Sequence, residues 1–323
     1  MHPGNSLREK LRQKDPIEPF IGIFDSFSAI IAAQHSANLF YSGFGFAASF
    51  YGAPDNGYIS WSDLVQAASR VRQALPQHTL LVDIDDGYAD VHTVCRVVSQ
   101  LEAMGVAMVM LEDQGRPRRC GHVDGKILLP LPQYLEKLDA VLDERESICI
   151  MARTDASGEE IFRRVEALSK TTAEVLLVDA VASLETLRKI RAVTDKPLAF
   201  NQMAGGKSPR LSLQELRDVG VDIVQYSTPL LFAAQQAMDA AVRDLFRGDG
   251  RLPDVSLGKS VGVQECNSLL ESTLARRSSR HGVADSPPNT QPERDLVALS
   301  KRLTPASVVV REPCALEGEK SHV

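Results

Sequence analysis

The chain has 323 residues, of which 44% are apolar and 24% charged, enough hydrophobic side chain to bury a large core and to exclude disorder of the whole. A formal net charge of −6 gives no basic field for gathering phosphate backbones, so nucleic acid is not an expected partner and an anionic substrate has to be drawn in by local cations. No apolar run reads as a signal peptide or approaches the roughly 18 residues of a spanning helix. A cytoplasmic protein without membrane contact is therefore expected, and five cysteines in no paired spacing argue against a disulfide framework.

Residues 1–18 read as an N-terminal segment. From there to residue 247, short β-branched runs alternate with helical patterns. Strand candidates fall at 20–25, 39–43, 79–85, 107–113, 148–154, 174–179, 198–202 and 223–227, with helical stretches at 62–75, 89–104, 131–143, 158–170, 183–193, 212–219 and 229–246. Eight such units predict an α/β fold, a closed (β/α)8 TIM barrel over 19–247 rather than an open sheet. Continuous apolar runs such as Ala107-Met-Val-Met-Leu111 and Val175-Leu-Leu-Val178 suit strands covered on both faces. Polar residues collect where strands give way to loops: Asp25, Ser42, Asp83, Asp85, Glu112, Arg153, Asp179 and Asn201. That end is where barrel enzymes build their sites. A C-terminal helical extension is predicted at 248–275, with one amphipathic helix at 262–273. Residues 276–323 read as a poorly ordered tail, rich in Ser, Arg, Pro and Asn up to 294 and with a weak helical pattern at 292–302.

Four segments carry the chemistry. In Leu80-Leu-Val-Asp-Ile-Asp-Asp-Gly-Tyr88, Asp83 and Asp85 stand two apart, so on an extended strand both carboxylates share a face and can converge on one cation. Glu112, at the end of the next strand, can join from the side, and hard oxygen ligands suit Mg2+ or Mn2+. A lone acid at such a place more readily caps a helix or accepts loop amides, the role that fits Asp86; three on adjacent strand ends call for a counterion. The loop Leu111-Glu-Asp-Gln-Gly-Arg-Pro-Arg-Arg-Cys-Gly-His122 brings three arginines beside a thiol, so Cys120 reads as a thiolate or an acid/base residue. Cys95 and Cys149 read as silent buried thiols, and His122 by itself as a surface histidine. Arg153, ending the fifth strand, either holds a substrate carboxylate through two parallel hydrogen bonds or pairs with Asp155 or Glu112. The turn Tyr41-Ser-Gly-Phe-Gly45 offers amides and the Ser42 hydroxyl to another carboxylate.

Together these segments resemble the isocitrate lyase and phosphoenolpyruvate mutase superfamily over most of residues 18–247. Arg-Arg-Cys-Gly-His at 118–122 is similar to the family's Lys-Lys/Arg-Cys-Gly-His, Asp-Ile-Asp-Asp-Gly-Tyr at 83–88 to its Asp-Ala-Asp-Thr-Gly-Tyr, and Ala-Arg-Thr-Asp-Ala at 152–156 to its fifth-strand ending. Gly52-Ala-Pro-Asp-Asn-Gly57 resembles its Gly-Leu-Pro-Asp-x-Gly loop and brings Asp55 into the catalytic group with Arg118, Cys120 and His122. The resemblance implies that Asp83 binds Mg2+ directly while Asp85 and Glu112 do so largely through water. It places Ser42, Gly43, Phe44, Arg153 and Asn201 on a 2-oxo acid, with Asp179 facing the same pocket, and makes Cys120 the donor that protonates a released carbanion. It also implies a homo-oligomer, dimer or tetramer, in which a helix near 255–275 is exchanged between subunits.

Three departures bear on the reaction. Arg118 replaces Lys and cannot readily lose a proton, Phe40 replaces Tyr or Trp, and Asp179 replaces Glu and is one methylene shorter. The expectation is a Mg2+-dependent C–C lyase that cleaves a 2-hydroxy or 2-alkyl malate-like or isocitrate-like acid to pyruvate or glyoxylate. A P–C bond mutase or an oxaloacetate or phosphonopyruvate hydrolase on the same scaffold is the nearest alternative. A barrel that binds 2-oxo acids without catalysis is the third.

Overall fold

In the computed structural model, which describes residues 1–13, 17–255, 258 and 260–278, the apolar runs form the staves of one barrel. The strands are β1 (Glu18–Ile23), β2 (Asn38–Tyr41), β3 (Thr79–Asp83), β4 (Met108–Glu112), β5 (Cys149–Thr154), β6 (Val175–Val178), β7 (Leu198–Gln202) and β8 (Ile223–Tyr226). Each lies parallel to the one before, and β8 returns to β1 and closes the cylinder. Every residue of β2, β4, β5 and β6 is buried, as expected of strands lined by side chains within and helices without.

The helices are α1 (Pro3–Gln13), α2 (Ser26–Ala32), α3 (Gly43–Phe46), α4 (Trp61–Ala74), α5 (Val91–Ala103), α6 (Leu131–Glu144), α7 (Glu160–Ser169), α8 (Leu184–Val193), α9 (Leu213–Asp218), α10 (Pro229–Arg247) and α11 (Val263–Ser278). α3 runs on into a π-helical turn, Ala47–Tyr51. Two of the three helices that the sequence reading passed over have local explanations. Asp25, counted above among polar strand ends, is the N-cap of α2: its Oδ1 accepts from Ser28 N–H at 2.6 Å while Ser28 Oγ accepts from Asp25 N–H at 3.0 Å, a reciprocal capping box. Ser42 likewise caps α3, accepting from Gly45 N–H at 3.2 Å.

The third, α1, lies where no element was predicted, and it plugs the barrel. Leu7 and Leu11, one turn apart, join Phe20, Phe40, Leu81, Met108, Met151 and Leu177 in the core inside the cylinder. The plug sits close because Gly4 has no side chain; a Cβ there would stand 2.2 Å from Ser147 O. Arg8 reaches Glu174 at 3.0 Å and Cys149 Sγ donates to Gly4 O at 3.2 Å, so Cys149 is the silent thiol expected of it. With the amino-terminal end sealed, the site is left to the other end.

α11 extends past the predicted 262–273 and lies against α2 and α4 of the same chain. Residues 279–323, including the weak helical pattern at 292–302, lie outside the described residues. No helix among the described residues is long and apolar enough to cross a membrane. Because Leu7 is 2% exposed, Leu7→Ala should cost about 2–5 kcal/mol in stability, read from the denaturant midpoint; a loss below about 1 kcal/mol would show that α1 does not seal the core.

Candidate active site

The carboxyl ends of the strands surround a cavity of about 20 Å³, the size of one water. Ser42, Phe44, Asp55, Asp83, Cys120, His122, Arg153, Asp179 and Asn201, all singled out from sequence, line it together with Phe40, Met110, Gly121, Met203 and Ser227. Gly43, Asp85, Glu112 and Arg118 stand one contact behind this wall.

β3 ends at Asp83, so Asp85 is not the extended residue assumed above; it sits in the loop at φ 52°. That left-handed conformation, unusual for a residue with a side chain, is held by Asp85 N–H donating to Asp83 Oδ1 at 3.1 Å and Glu112 N–H donating to Asp85 O at 3.0 Å. The two carboxylates still face one spot: a Cβ on Gly43 would lie 3.0 Å from Asp83 Oδ2 and 3.1 Å from Asp85 Oδ1. Glycine is what lets β2 end there.

Glu112 does not meet them. Its carboxylate is turned to Arg118 Nε at 2.6 Å and Arg153 Nη2 at 3.2 Å, and among the described residues no three His, Cys, Asp or Glu side chains already converge as a metal cage. The reason is Arg118, 1% exposed, which also bonds Asp55 and lies 3.4 Å from Asp85 Oδ1. Although burial opposes its charge, the three carboxylates about it raise the Arg118 pKa and keep it charged, so it serves as a counterion rather than a base.

That counterion is not enough. Asp55, Asp83, Asp85, Glu112, Asp155 and Asp179 are all buried at this end, and Arg118, Arg153 and Lys126 are the cations paired among them. The formal excess is three negative charges. Neither oxygen of Asp85 accepts a hydrogen bond. Burial raises the pKa of Asp83, raises that of Asp85 further with help from the neighbouring acids, and lifts Glu112 to about 8 against the pull of Arg118 and Arg153. Hard oxygens in negative excess, two of them without donors, fit a divalent cation such as Mg2+ or Mn2+.

Cys120 departs from the thiolate reading. It is 8% exposed, and burial together with the charges of Asp55 and Asp179 pushes its thiol up to about 12. The nearby arginines do not reverse this, because Arg118 is spent on Asp55 and Glu112 and the Arg119 side chain turns to Asp124 O. At neutral pH the thiol keeps its proton, the state a general acid needs. The Cys120 N–H donates to Asp55 O at 3.1 Å, which ties its loop to the 52–57 loop.

His122 is not at the surface; it is 9% exposed, with Nε2 3.5 Å from Asp179 Oδ1. Arg153 realises its structural alternative, bonding Asp155 at 2.8 Å, Asp179 at 2.9 Å and Glu112 at 3.2 Å; Nη1 takes part in none of these. Although burial opposes it, Arg153 and then His122 hold the Asp179 carboxyl well below the usual range. Asn201 donates to Asp179 Oδ1 at 2.9 Å and accepts from Ser227 Oγ at 2.5 Å. Gly121 is obligatory, since a Cβ would stand 1.9 Å from Asp179 Oδ2 and 2.5 Å from Asp155 Oδ1. The sequence reading offered Asp155 as a partner of Arg153, as found; it missed Lys126, and Ser227 beyond its strand-end position.

Comparison with known proteins bears on the family and the fold. The chain is 32% identical over 241 residues to the 2-methylisocitrate lyase of Shewanella oneidensis, covering 72% of this chain and 82% of that one. A crystal structure of 2,3-dimethylmalate lyase matches with a TM-score of 0.80 at 27% identity, over 90% of this chain and 99% of that chain. Oxaloacetate acetylhydrolase bound to the inhibitor 3,3-difluorooxalacetate also matches with a TM-score of 0.80, at 26% identity over 88% and 99%. The phosphoenolpyruvate phosphomutase family model matches residues 7–246, and the chain belongs to this family, within the PEP mutase/isocitrate lyase superfamily.

Proposed function

We propose that this protein is a carbon–carbon lyase that cleaves a 2-hydroxy or 2-alkyl malate-like or isocitrate-like acid to a 2-oxo acid, through an enolate or carbanion. The single observation that carries the reading is a buried Cys120 thiol on the same cavity as Arg153, Asn201 and the Asp83 carboxylate. Asp83 and Asp85, with Glu112 farther off, would hold Mg2+ or Mn2+, which when bound stabilises negative charge on the oxygens of a keto acid. Arg153 Nη1, the Ser42 hydroxyl and Asn201 bind and orient the carboxylate and 2-oxo group. When the C–C bond breaks, the 2-hydroxyl loses its proton as it becomes the 2-oxo group and Cys120 gives its proton to the released carbanion, so that the two proton transfers cancel once the thiolate is reprotonated. The closed loop around Cys120 keeps water from that carbanion. The names of the 2-methylisocitrate and 2,3-dimethylmalate lyase relatives support this class.

A hydrolase acting on oxaloacetate is the second reading, favoured by a structural match as good as that to the lyase. Both readings use one cavity, so the products decide between them.

We also place the chain in a homo-oligomer, dimer or tetramer. None of the residues of α10 is buried, and Met238, Val242 and Phe246, four residues apart on one face, are 61%, 57% and 79% exposed. Such a stripe calls for a partner, and a second copy with an exchanged C-terminal helix would cover it. Light scattering should give a mass of two or four chains, reduced by Phe246→Asp; a one-chain mass for the parent would overturn the assembly.

The activity is tested by a Mg2+-dependent screen of 2-substituted malates, isocitrates, oxaloacetate and phosphonopyruvate, read by 2-oxo acid release. The expected result is turnover of a substituted malate or isocitrate, with Cys120→Ser lowering kcat by roughly 10²–10⁴-fold. Hydrolysis of oxaloacetate to oxalate and acetate, with no turnover of any substituted malate or isocitrate, would favour the hydrolase, and full turnover by Cys120→Ser would remove the thiol from the mechanism.

A further inference from the structure

Two loops meet over the cavity, and one contact between them governs the imidazole of His122. In the turn after β7, the Lys207 backbone N–H donates to His122 Nδ1 at 3.0 Å. A ring nitrogen that accepts carries no proton, so the neutral ring holds its hydrogen on Nε2. Nε2 lies 3.5 Å from Asp179 Oδ1 and 3.3 Å from Asn201 Nδ2. A protonated Nε2 suits the carboxylate, while Asn201 Nδ2, itself a donor, gives its hydrogen to Asp179 Oδ1 at 2.9 Å. Two donors on one carboxylate and one donor behind the ring are compatible with a single tautomer.

Gly206 makes the contact possible. A Cβ there would stand 2.5 Å from His122 Nδ1 and 3.1 Å from Cε1 and Cγ. The glycine's φ is outside the left-handed region, so its backbone accepts alanine, and the added methyl meets the ring before anything else. The turn is closed by Gly206 N–H donating to Met203 O at 3.1 Å. A second tie, Lys207 Nζ to Asp124 Oδ1 at 2.5 Å, ends on a side chain that is 96% exposed and contributes little. The amide, not the ammonium, sets the ring.

We infer that the Gly206–Lys207 turn is a positioning device for the catalytic loop: it locks His122 as the Nε2-protonated tautomer and holds that N–H on Asp179. The other tautomer would set a lone pair against the carboxylate. Asp179 would then lose a partner beside Gly121, and the loop bearing Cys120 would lose its register. Gly206 and Lys207 are thus positioning residues that act through His122. Only the effect on turnover rests on the lyase reading; the tautomer does not.

The test is 15N NMR of the full chain labelled at histidine, with the His122 signals assigned by their loss in His122→Asn. The expected spectrum shows a protonated, pyrrole-like Nε2 and an unprotonated, pyridine-like Nδ1. Lys207→Ala, which keeps the amide, should retain that pattern. Gly206→Ala should mix the tautomers and lower kcat by roughly 10- to 100-fold, with the unfolding midpoint near that of the parent. A parent spectrum with Nδ1 protonated would overturn the inference, as would an unaltered spectrum in Gly206→Ala. If no acid of the panel is turned over, the lyase reading fails while the spectra still decide this one.

Discussion

The interaction on which the site depends is the repulsion among buried carboxylates at the carboxyl ends of β3 to β6. Asp83, Asp85, Glu112, Asp155 and Asp179 are each 6% exposed or less, and like charges so placed either take up protons or gather cations. Within the chain the gathering is done by Arg118 and Arg153, each bridging three acids. The arginines set the shape of the cavity and leave a negative remainder. The remainder, not any single side chain, is what supports the proposal that this end of the barrel takes a dication and an anionic acid together.

Dense charge also needs close backbones. Gly43, Gly121 and Gly206 are the places where a Cβ would strike Asp83 and Asp85, Asp179 and Asp155, or His122. Each lies in a segment leading from a strand's carboxyl end, on β2, β4 and β7. The barrel supplies rigid staves, and glycine lets three loops approach without displacing the charged groups. α1 and the core beneath give the strands a fixed floor, so the loops alone remain adjustable.

Much of this was legible in the sequence. Eight apolar runs with polar ends gave the barrel strand by strand, because strands buried on both faces leave long uninterrupted signals. Most residues that line the cavity were named because acids and arginines at strand ends have few structural reasons to be there. What was missed depends on tertiary context. α1 is a short amphipathic helix whose Leu7 and Leu11 carry meaning only once a barrel mouth exists to receive them. Whether Cys120 is a thiolate or an acid stayed open in the sequence because its arginine neighbours there are paired elsewhere in space. Asp85 was drawn as a strand residue since alternation cannot show that β3 stops two residues earlier. Arg153 offered two readings; the distances to Asp155, Asp179 and Glu112 show the ion pairs, which use Nε and Nη2 and leave the carboxylate reading to Nη1.

The central claim is that the acidic remainder calls for a divalent cation. Since Glu112 is raised by burial from 4.5 to about 8, with Asp83 and Asp85 raised in the same sense, their contribution to the stability of the metal-free fold is present at low pH and is lost as pH rises through the folded values. Thermal unfolding at pH 5.5 and pH 8.5, with EDTA and with excess Mg2+, tests this directly. The account predicts that the Tm gain from Mg2+ is much larger at pH 8.5, where the acids are ionised, and is abolished by Asp83→Asn. A gain that is absent, or equal at both pH values and retained in Asp83→Asn, would contradict it.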